Sequence, residues 1–386
     1  MKRIIATGPL VGGSLYFLYY AAASCLAPFL SLYYASRGLS GTQSGILLSL
    51  PAVAVMFGAG FWGTVADRTN RHRLVFQLSM IGTIIAALLL PYARSFLWMG
   101  VIVLLYAVTL SGLSPLLDAM VLNSLGEQRH RYGRVRLWGS IGWGVAGAAI
   151  GALVDVHGLT VVFAGYAVFL SLGVGVSVMF PRQPATLSSR LTEHLKALLG
   201  RPRFVGLLAA VVLQGTMLGV LTNYLFVRLK ELGASGVILG LSLTVATVSE
   251  IVFYLLSPML IRRFGTRRIL YAAIGIMALR LFLYVPLRTP AFALVIQLLH
   301  GPSFSMFQAA SVGAAYELSP PGSVSTAQGV MTAANFGLGG MIGAFGGGVL
   351  LQAGGTSALF AATSILALAG FSILLLMDRV RGRRTE

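Results

Sequence analysis

Residues 118–143 read DAMVLNSLGEQRHRYGRVRLWGSIGW, and they join the end of one apolar run to the start of the next through a basic break. Asp118 lies among leucine, alanine and methionine residues in the first run, and Arg136 lies at the start of the second. A carboxylate is costly to place in hydrocarbon, so in a membrane segment it faces a partner or a water-filled cavity. Asp118 and Arg136 are therefore candidates for a functional pair.

The composition of the whole chain is that of a polytopic membrane protein. Of its 386 residues, 57% are hydrophobic and 10% are charged, whereas soluble domains average about 45–50% and about 25%. The formal charge of +18 comes from short basic clusters between apolar runs, which suit membrane topology and anionic headgroups. We therefore expect the lipid bilayer as a partner and no nucleic acid.

Apolar runs alternate with short polar breaks along the chain, and their lengths suit helices, which need about 20 residues to cross a bilayer. The strict alternation of barrel strands is not seen. The pattern predicts an all-α integral membrane protein with twelve transmembrane helices, at about 9–35, 44–65, 74–92, 96–123, 137–154, 159–180, 204–227, 236–260, 269–287, 291–316, 326–351 and 357–377.

The basic residues predict the orientation, because Lys and Arg in short loops stay cytoplasmic. With the N-terminus inside, 22 of the 28 Lys and Arg residues fall in cytoplasmic segments and Arg280 falls within a span. We therefore expect a multi-pass protein of the cell (inner) membrane with both termini cytoplasmic. The outer segments hold the remaining five, Arg37, Arg94, Arg228, Lys230 and Arg288.

The longest polar break, 181–203, divides the predicted helices six and six. Two loops in corresponding places of the halves are also alike, GTVADRTNRHR at 63–73 and IRRFGTRR at 261–268. The sequence thus predicts two pseudo-symmetric six-helix bundles, 1–180 and 204–386, with a cytoplasmic linker between them. A transporter built from two such halves binds its substrate near the midplane.

The loop at 63–73 resembles the signature of the major facilitator superfamily, a glycine followed by an Asp-Arg pair and further basic residues. The residues that carry the resemblance are Gly63, Asp67, Arg68 and Arg71. Asn70 stands where the family usually has glycine, and asparagine tolerates the left-handed backbone. The resemblance implies the major facilitator fold and a conformational latch made by these charges, which can hold a neighbouring helix end in one of two states.

The opening stretch carries a narrower resemblance. YGRVRLWGSIGW at 132–143, with Asp118 on the preceding helix, is similar to the lactose permease and oligosaccharide:proton symporter group, and to its phenylpropionate-transporter-like relatives. By that resemblance Asp118 and Arg136 bind substrate together, and Trp143 supplies an aromatic face for stacking.

Three positions extend this resemblance into the second half. Glu250, Arg280 and His300 fall where the group has a buried acid, an arginine and a histidine on helices eight, nine and ten. In lactose permease a further carboxylate, three positions after the histidine, carries the proton, and here that position is Ser303. If this protein is coupled to protons, another group must carry them.

Only two acids lie within the predicted spans, and Glu250 is the better candidate for the proton. A cation beside a carboxylate stabilises its ionised form, and Arg136 is the expected neighbour of Asp118. His300 can share the proton, since histidine titrates near neutral pH. The alternative is that Glu250 and Arg280 form a static internal ion pair.

The sequence predicts a secondary active transporter that imports a small organic solute, such as a sugar, nucleoside or aromatic acid, together with protons. The alternatives are a proton-coupled exporter of drugs or metabolites, an integral-membrane enzyme and a non-transporting receptor. No Walker loop or catalytic set is visible, so we expect no enzyme activity, cofactor or metal, and a monomer. The predicted substrate-binding residues are Asp118, Arg136, Trp143, Glu250, Arg280 and His300, with Glu250, Asp118 and His300 for proton coupling.

Overall fold

The computed structural model describes residues 2–180, 191–320 and 323–382, and all regular structure within them is helical. The first six helices are α1 (Lys2–Leu26, continued by Ala27–Phe29 and Leu30–Ser36), α2 (Gly41–Thr69), α3 (His72–Leu89), α4 (Phe96–Leu110 and Leu113–Leu125), α5 (Tyr132–His157) and α6 (Val161–Ser177). The next four are α7 (Pro202–Glu231), α8 (Gly236–Phe264), α9 (Thr266–Leu283) and α10 (Phe292–Gln297, Gly301–Ser305 and Met306–Leu318). A continuous stretch from Val324 to Gly382 breaks at Gly355, where φ is 72°, and gives α11 before the break and α12 after it.

Within the described ranges, eight helices are long and apolar enough to cross a membrane, counting α11 and α12 as one. The remaining passes are α6, which has 17 residues, α9, which carries three arginines, and α10, which a π-helical segment interrupts. The twelve predicted helices are thus all present as helical passes. The predicted linker contains a short helix, Leu191–Leu199, while 181–190 lie outside the described residues.

Side-chain caps and left-handed residues set the helix ends. Ser40 and Gln43 form a capping box at the start of α2, and Ser235 accepts a hydrogen bond from the amide of Ile238 at the start of α8. At the other end of α2, Asn70 adopts φ 51°, which is the left-handed backbone anticipated for the residue in the glycine position. Gly265 with φ 83° separates α8 from α9.

We refer to α1–α6 as the first half and α7–α12 as the second half. Two antiparallel helix pairs connect them, α5 with α8 and α2 with α11. The α5–α8 contact runs from Gly151 against Gly236 and Gly240 to Gly144 against Thr247. Glycine is needed at Gly151, because a Cβ there would collide with the carbonyl oxygen of Gly236. Such close helix contacts are typical of small residues in membranes.

At one end of each pair, a side chain of one half accepts hydrogen bonds from the first backbone amides of a helix in the other half. Asp155 of α5 accepts hydrogen bonds from the first amides of α8, Gly236 at 2.6 Å and Val237 at 3.0 Å. In the equivalent place, Gln352 of α11 accepts from the amide of Thr42 in α2 at 3.0 Å. We call the end of the molecule that holds these caps the closed end. The opposite end, which holds the breaks 70–71 and 126–131, is the basic end.

The two halves also share an arginine contact near the closed end. Arg37, which follows α1, donates to the carbonyl oxygen of Ala93 in the α3–α4 turn at 2.9 Å. Arg228, near the end of α7, donates to the carbonyl oxygens of Tyr284, Val285 and Leu287 in the α9–α10 connection at 3.0–3.2 Å. An arginine at the end of the first helix of each half therefore holds the turn between the third and fourth helices.

Candidate functional site

Asp118 on α4 is the centre of a hydrogen-bonded cluster in the first half. Its Oδ1 accepts from the Tyr132 hydroxyl at 2.9 Å and from Arg136 Nη1 at 3.0 Å, both on α5. The hydroxyl of Tyr16 on α1 donates to the same oxygen. The predicted contact between Asp118 and Arg136 is present, and three donors satisfy the carboxylate oxygen inside an apolar bundle.

Arg136 connects the acid to a group of tyrosines. Its Nη2 donates to the Tyr20 hydroxyl at 3.2 Å, and its guanidinium carbon lies 5.9 Å from the ring centroid of Tyr16 and 6.0 Å from that of Tyr20. Such distances allow cation–π attraction. The Arg136 side chain is nevertheless 42% exposed, so it remains accessible to a ligand.

The predicted start of the fifth helix is wrong by about one turn. The apolar run begins at 137, but α5 begins at Tyr132, because the basic residues of the break continue into the helix. Arg136 therefore lies inside α5 rather than at its threshold. Residues four apart share a helix face, which explains why Tyr132 and Arg136 reach the same carboxylate.

In the second half, His300 lies between Glu250 and Arg280. Its Nε2 is 3.5 Å from Glu250 Oε2, and its Nδ1 is 2.9 Å from Arg280 Nη1. The ring also stacks on Phe304, with centroids 5.1 Å apart. The three predicted residues of helices eight, nine and ten thus meet in one chain of contacts.

The alternative of a static ion pair between Glu250 and Arg280 is not what the structure shows. Among the described residues, Arg280 bonds His300 and the amide oxygen of Gln297, and its Nε is buried without a hydrogen-bond partner. The imidazole of His300 lies between the two charges, and His300 directly precedes the π-helical segment Gly301–Ser305. π-helical segments often occur at functional sites.

Ser303, which stands at the position of the missing carboxylate, is buried and donates to the Leu299 carbonyl oxygen at 2.6 Å. Its hydroxyl is therefore used within its own helix. Ser303 therefore cannot replace the missing carboxylate as a proton carrier, because it is a serine and because its hydroxyl is bonded to its own helix.

A hydrogen bond across the halves joins α5, the helix of Arg136, to α8, the helix of Glu250. The Ser140 hydroxyl on α5 donates to Glu250 Oε1 on α8 at 3.0 Å. Ser140 and Trp143 follow Arg136 at spacings of four and seven, so all three lie along one face of α5. Trp143 is half-buried and lies about two turns from Arg136. The face of α5 that holds Arg136 and Trp143 therefore also holds Ser140, which contacts the acid of the second half.

The predicted latch residues lie at the basic end. Asp67 accepts from His72 Nε2 at 2.9 Å across the α2–α3 turn. Arg68 is in the last turn of α2 and Arg71 precedes α3, and both are exposed. Gly63 is in α2, where a Cβ would meet nothing within 4 Å. The structure places the four residues together, and their role as a latch stays a prediction.

Sequence reasoning missed Tyr132 and Ser140, and it left open whether Tyr16 and Tyr20 face the cavity or bond a neighbouring helix. Tyr16, Tyr20 and Tyr132 surround Asp118 and Arg136, and Ser140 reaches Glu250. The spacing of four between Tyr16 and Tyr20 was a usable signal, since it places two hydroxyls on one face of α1. Ser140 gave no signal, because a single serine in a glycine-rich helix is common in membranes.

Two connected six-helix halves with paired charges inside their helices are typical of secondary transporters of the major facilitator type. A family model described as "MFS_1 like family" matches residues 13–362, and the chain belongs to that family. It is a transporter and not an enzyme.

Two similar proteins cover nearly the whole chain, and a third covers about seven-tenths of it. The maltose permease of Geobacillus stearothermophilus is 30% identical over 367 residues, which are 94% of this chain and 93% of that protein. The multidrug resistance protein MdtG of Salmonella typhi is 30% identical over 297 residues, 71% of each chain. The crystal structure of the nucleoside transporter NupG has a TM-score of 0.84 at 17% identity, covering 96% of this chain and 99% of that one, which shows a shared fold.

Proposed function

We propose that the protein is a proton-coupled symporter that takes up a small organic solute, such as a sugar, a nucleoside or an aromatic acid, by alternating access. The observation that carries the proposal is the hydrogen bond between Ser140 and Glu250. It joins Ser140, which lies one turn after Arg136 on α5, to the acid of the Glu250–His300–Arg280 cluster in the other half. A proton on one cluster can therefore affect how the other presents its ligand groups.

In this proposal the substrate binds between the clusters. The Arg136 guanidinium binds an oxygen-rich or anionic group through its planar fork, and Trp143 supplies a face for a ring. The names of the similar proteins support a solute with a hydroxyl-bearing ring, since one is a maltose permease and another a nucleoside transporter.

Glu250 carries the proton in this mechanism, and His300 shares it. Asp118 is engaged by an arginine and two tyrosine hydroxyls, whereas Glu250 is engaged by one serine hydroxyl and by an imidazole. Because the Glu250 carboxylate and the His300 imidazole lie next to each other, the pair can share one proton and exchange it with the cavity. Protonation of Glu250 would weaken the hydrogen bond from Ser140, since a neutral carboxyl group is a weaker acceptor than a carboxylate, and so loosen the contact between the halves.

We also propose an orientation of the protein in the membrane. The basic end is cytoplasmic, as the positive-inside rule predicts, and the two bundles, 1–180 and 204–386, rock about the substrate. Since the halves are joined by caps at the opposite end, the structure is then closed to the outside and faces inward.

Uptake into proteoliposomes tests the coupling. Purified protein is reconstituted, and radiolabelled maltose, uridine and 3-phenylpropionate are offered with and without an inwardly directed proton gradient. We expect at least one solute to accumulate only with the gradient, and Glu250→Gln to abolish accumulation while retaining substrate counterflow. If the uptake rate of every transported solute is the same with and without the gradient, the proposal is wrong.

A second candidate is a proton-coupled exporter, and the similarity to MdtG supports it. The same binding residues serve symport and exchange, which differ in the order of the coupling steps. Inverted membrane vesicles separate the two, because an exporter accumulates its solute when the vesicle lumen is acidified, whereas a symporter releases it. Deletion of the gene should produce sensitivity to a toxic compound for an exporter and a growth defect on a nutrient for a symporter.

A further inference from the structure

A cationic groove at the closed end lies outside the substrate site. It has a volume of about 460 Å³ and lies between the α1–α2 and α3–α4 turns. Two arginines line it although they are far apart in sequence, and polar side chains surround them. The lining includes Arg37, Arg94, Ser36, Ser95 and Gln43.

The two guanidinium groups have most of their donors available. Arg37 uses Nη2 to bond the Ala93 carbonyl oxygen at 2.9 Å, which fixes its position while leaving other N–H groups of its five. Arg94 is exposed, and its side chain forms no hydrogen bond with the residues that the structure describes. Two cations that line one groove attract an anion, and the planar fork of arginine matches phosphate oxygens.

The surroundings of the groove are those of a membrane interface. Tyr92 is 78% exposed, Leu97 77% and Trp98 65%, and they flank Arg94 along the chain. Tyr and Trp concentrate at the level of lipid headgroups. The abundant anion at that depth is the phosphate of a phospholipid.

The second half supplies an internal comparison. YARSFLW at 92–98 corresponds to PLRTPAF at 286–292, so that Arg288 stands in the place of Arg94. The equivalent of Arg37 is Arg228, which is buried and bonds three carbonyl oxygens. The corresponding groove, lined by Arg288 and Thr289, therefore has one arginine on its wall where the first has two.

We infer that the groove between the α1–α2 and α3–α4 turns binds a phosphate group through Arg37 and Arg94, and that its equivalent in the second half does not. The phosphate comes either from the headgroup of an anionic phospholipid or from a small phosphate in solution. The site is separate from the proposed substrate site and does not depend on it.

Thermal unfolding of the purified full-length protein in detergent tests this inference. The probes are phosphatidylglycerol, an uncharged glycosyl diacylglycerol without phosphate, and inorganic phosphate. Phosphatidylglycerol is expected to raise Tm by about 3 °C or more over the glycolipid, because a ligand that binds the folded state stabilises it. A shift with the lipid alone identifies a headgroup site, and a shift with inorganic phosphate as well identifies a site that also takes soluble phosphate.

Matched variants make the test specific. Arg94→Gln should abolish the shift, and Arg288→Gln, which removes the equivalent arginine, should keep it. Gln43→Glu is a second variant that keeps folding intact, because glutamate also completes a capping box while adding a negative charge to the groove wall. It too should abolish the shift. Equal shifts in Arg94→Gln and Arg288→Gln, or no shift in the wild type with either phosphate probe, would overturn the inference.

Discussion

Ser140 of α5 and Glu250 of α8 form a 3.0 Å hydrogen bond between a hydroxyl of one half and a carboxylate of the other. From this pair the two helices stay together as far as Asp155 and Gly236 at the closed end. A change at Glu250 therefore acts directly on the helix pair that joins the halves.

Ser140→Ala removes this bond without removing the acid. We expect proton-driven accumulation to fall by about 3–10-fold, the equivalent of one hydrogen bond of about 0.5–1.5 kcal/mol, while gradient-free counterflow changes less. Thr244→Val is the matched control, because the Thr244 hydroxyl also bonds across the halves, to the Gly144 carbonyl oxygen at 2.7 Å, without touching Glu250. Equal effects of the two variants would show that the bond serves only to join the helices.

Asp118→Asn leaves the guanidinium of Arg136 without its ion pair. Since both side chains are partly exposed, we expect a destabilisation of about 1–3 kcal/mol, below the ~3–5 kcal/mol of a fully buried pair, and a loss of substrate binding of about tenfold or more. Isothermal titration of the reconstituted protein and its Tm measure the two effects. Tyr132→Phe, which keeps the pair and removes one hydroxyl donor, should retain binding within a few-fold. A larger loss in Tyr132→Phe than in Asp118→Asn contradicts the assignment.

Arg228→Gln should destabilise the second half more than Arg37→Gln destabilises the first. Arg228 is buried and satisfies three backbone carbonyl oxygens, whereas Arg37 is exposed and bonds one. Hydrogen bonds from a charged donor contribute about 1.5–3 kcal/mol each, so Tm should fall by about 5 °C or more in the first variant and by less in the second. Thermal unfolding in a phosphate-free detergent buffer measures both, and a reversed order refutes the comparison.

Gly151→Leu should hold the closed end apart, because even a Cβ at this position collides with α8. The reporter is Leu243→Cys in a Cys25→Ala background, since Leu243 is buried in the α5–α8 contact and Cys25 is the one natural cysteine. We expect labelling by a membrane-impermeant maleimide to be about tenfold faster than without the leucine. Gly346→Leu is the control, because a Cβ at that glycine meets nothing within 4 Å. Similar labelling in both leucine variants would exclude a specific opening.

Asp67→Asn tests the latch. If Asp67 holds a neighbouring helix end in another conformation, the variant should lose transport by about tenfold while its substrate affinity is retained. His72→Gln removes only the partner that this structure shows and should retain more of the flux. Equal losses would mean that the contact across the α2–α3 turn is the whole function of the acid, and unchanged flux in Asp67→Asn would remove the latch hypothesis.

The fold was largely predictable because apolar runs and basic breaks follow from the solvent, as each spanning helix must be long and apolar. The charged residues of the candidate site could be identified where a charge stood alone in such a run, as with Asp118, Glu250 and Arg280. From the sequence alone, Tyr16 and Tyr20 could face either the cavity or a neighbouring helix, since aromatic residues are common in apolar helices for packing. The position of His300 between Glu250 and Arg280 was not predictable, because it depends on how three helices that are distant in sequence pack together.

The caps at the closed end have an energetic consequence. The first amides of α8 and α2 are satisfied by Asp155 and Gln352 only while the halves touch, and a cap contributes about 1 kcal/mol to a helix. Opening this end transfers those amides to water, and the two losses occur together because one movement separates both helix pairs. The population of the open state in the absence of solute is thus set in part by two surface side chains distant from the charges that bind the solute, and variants at Asp155 and Gln352 can change the resting equilibrium while leaving the binding groups in place.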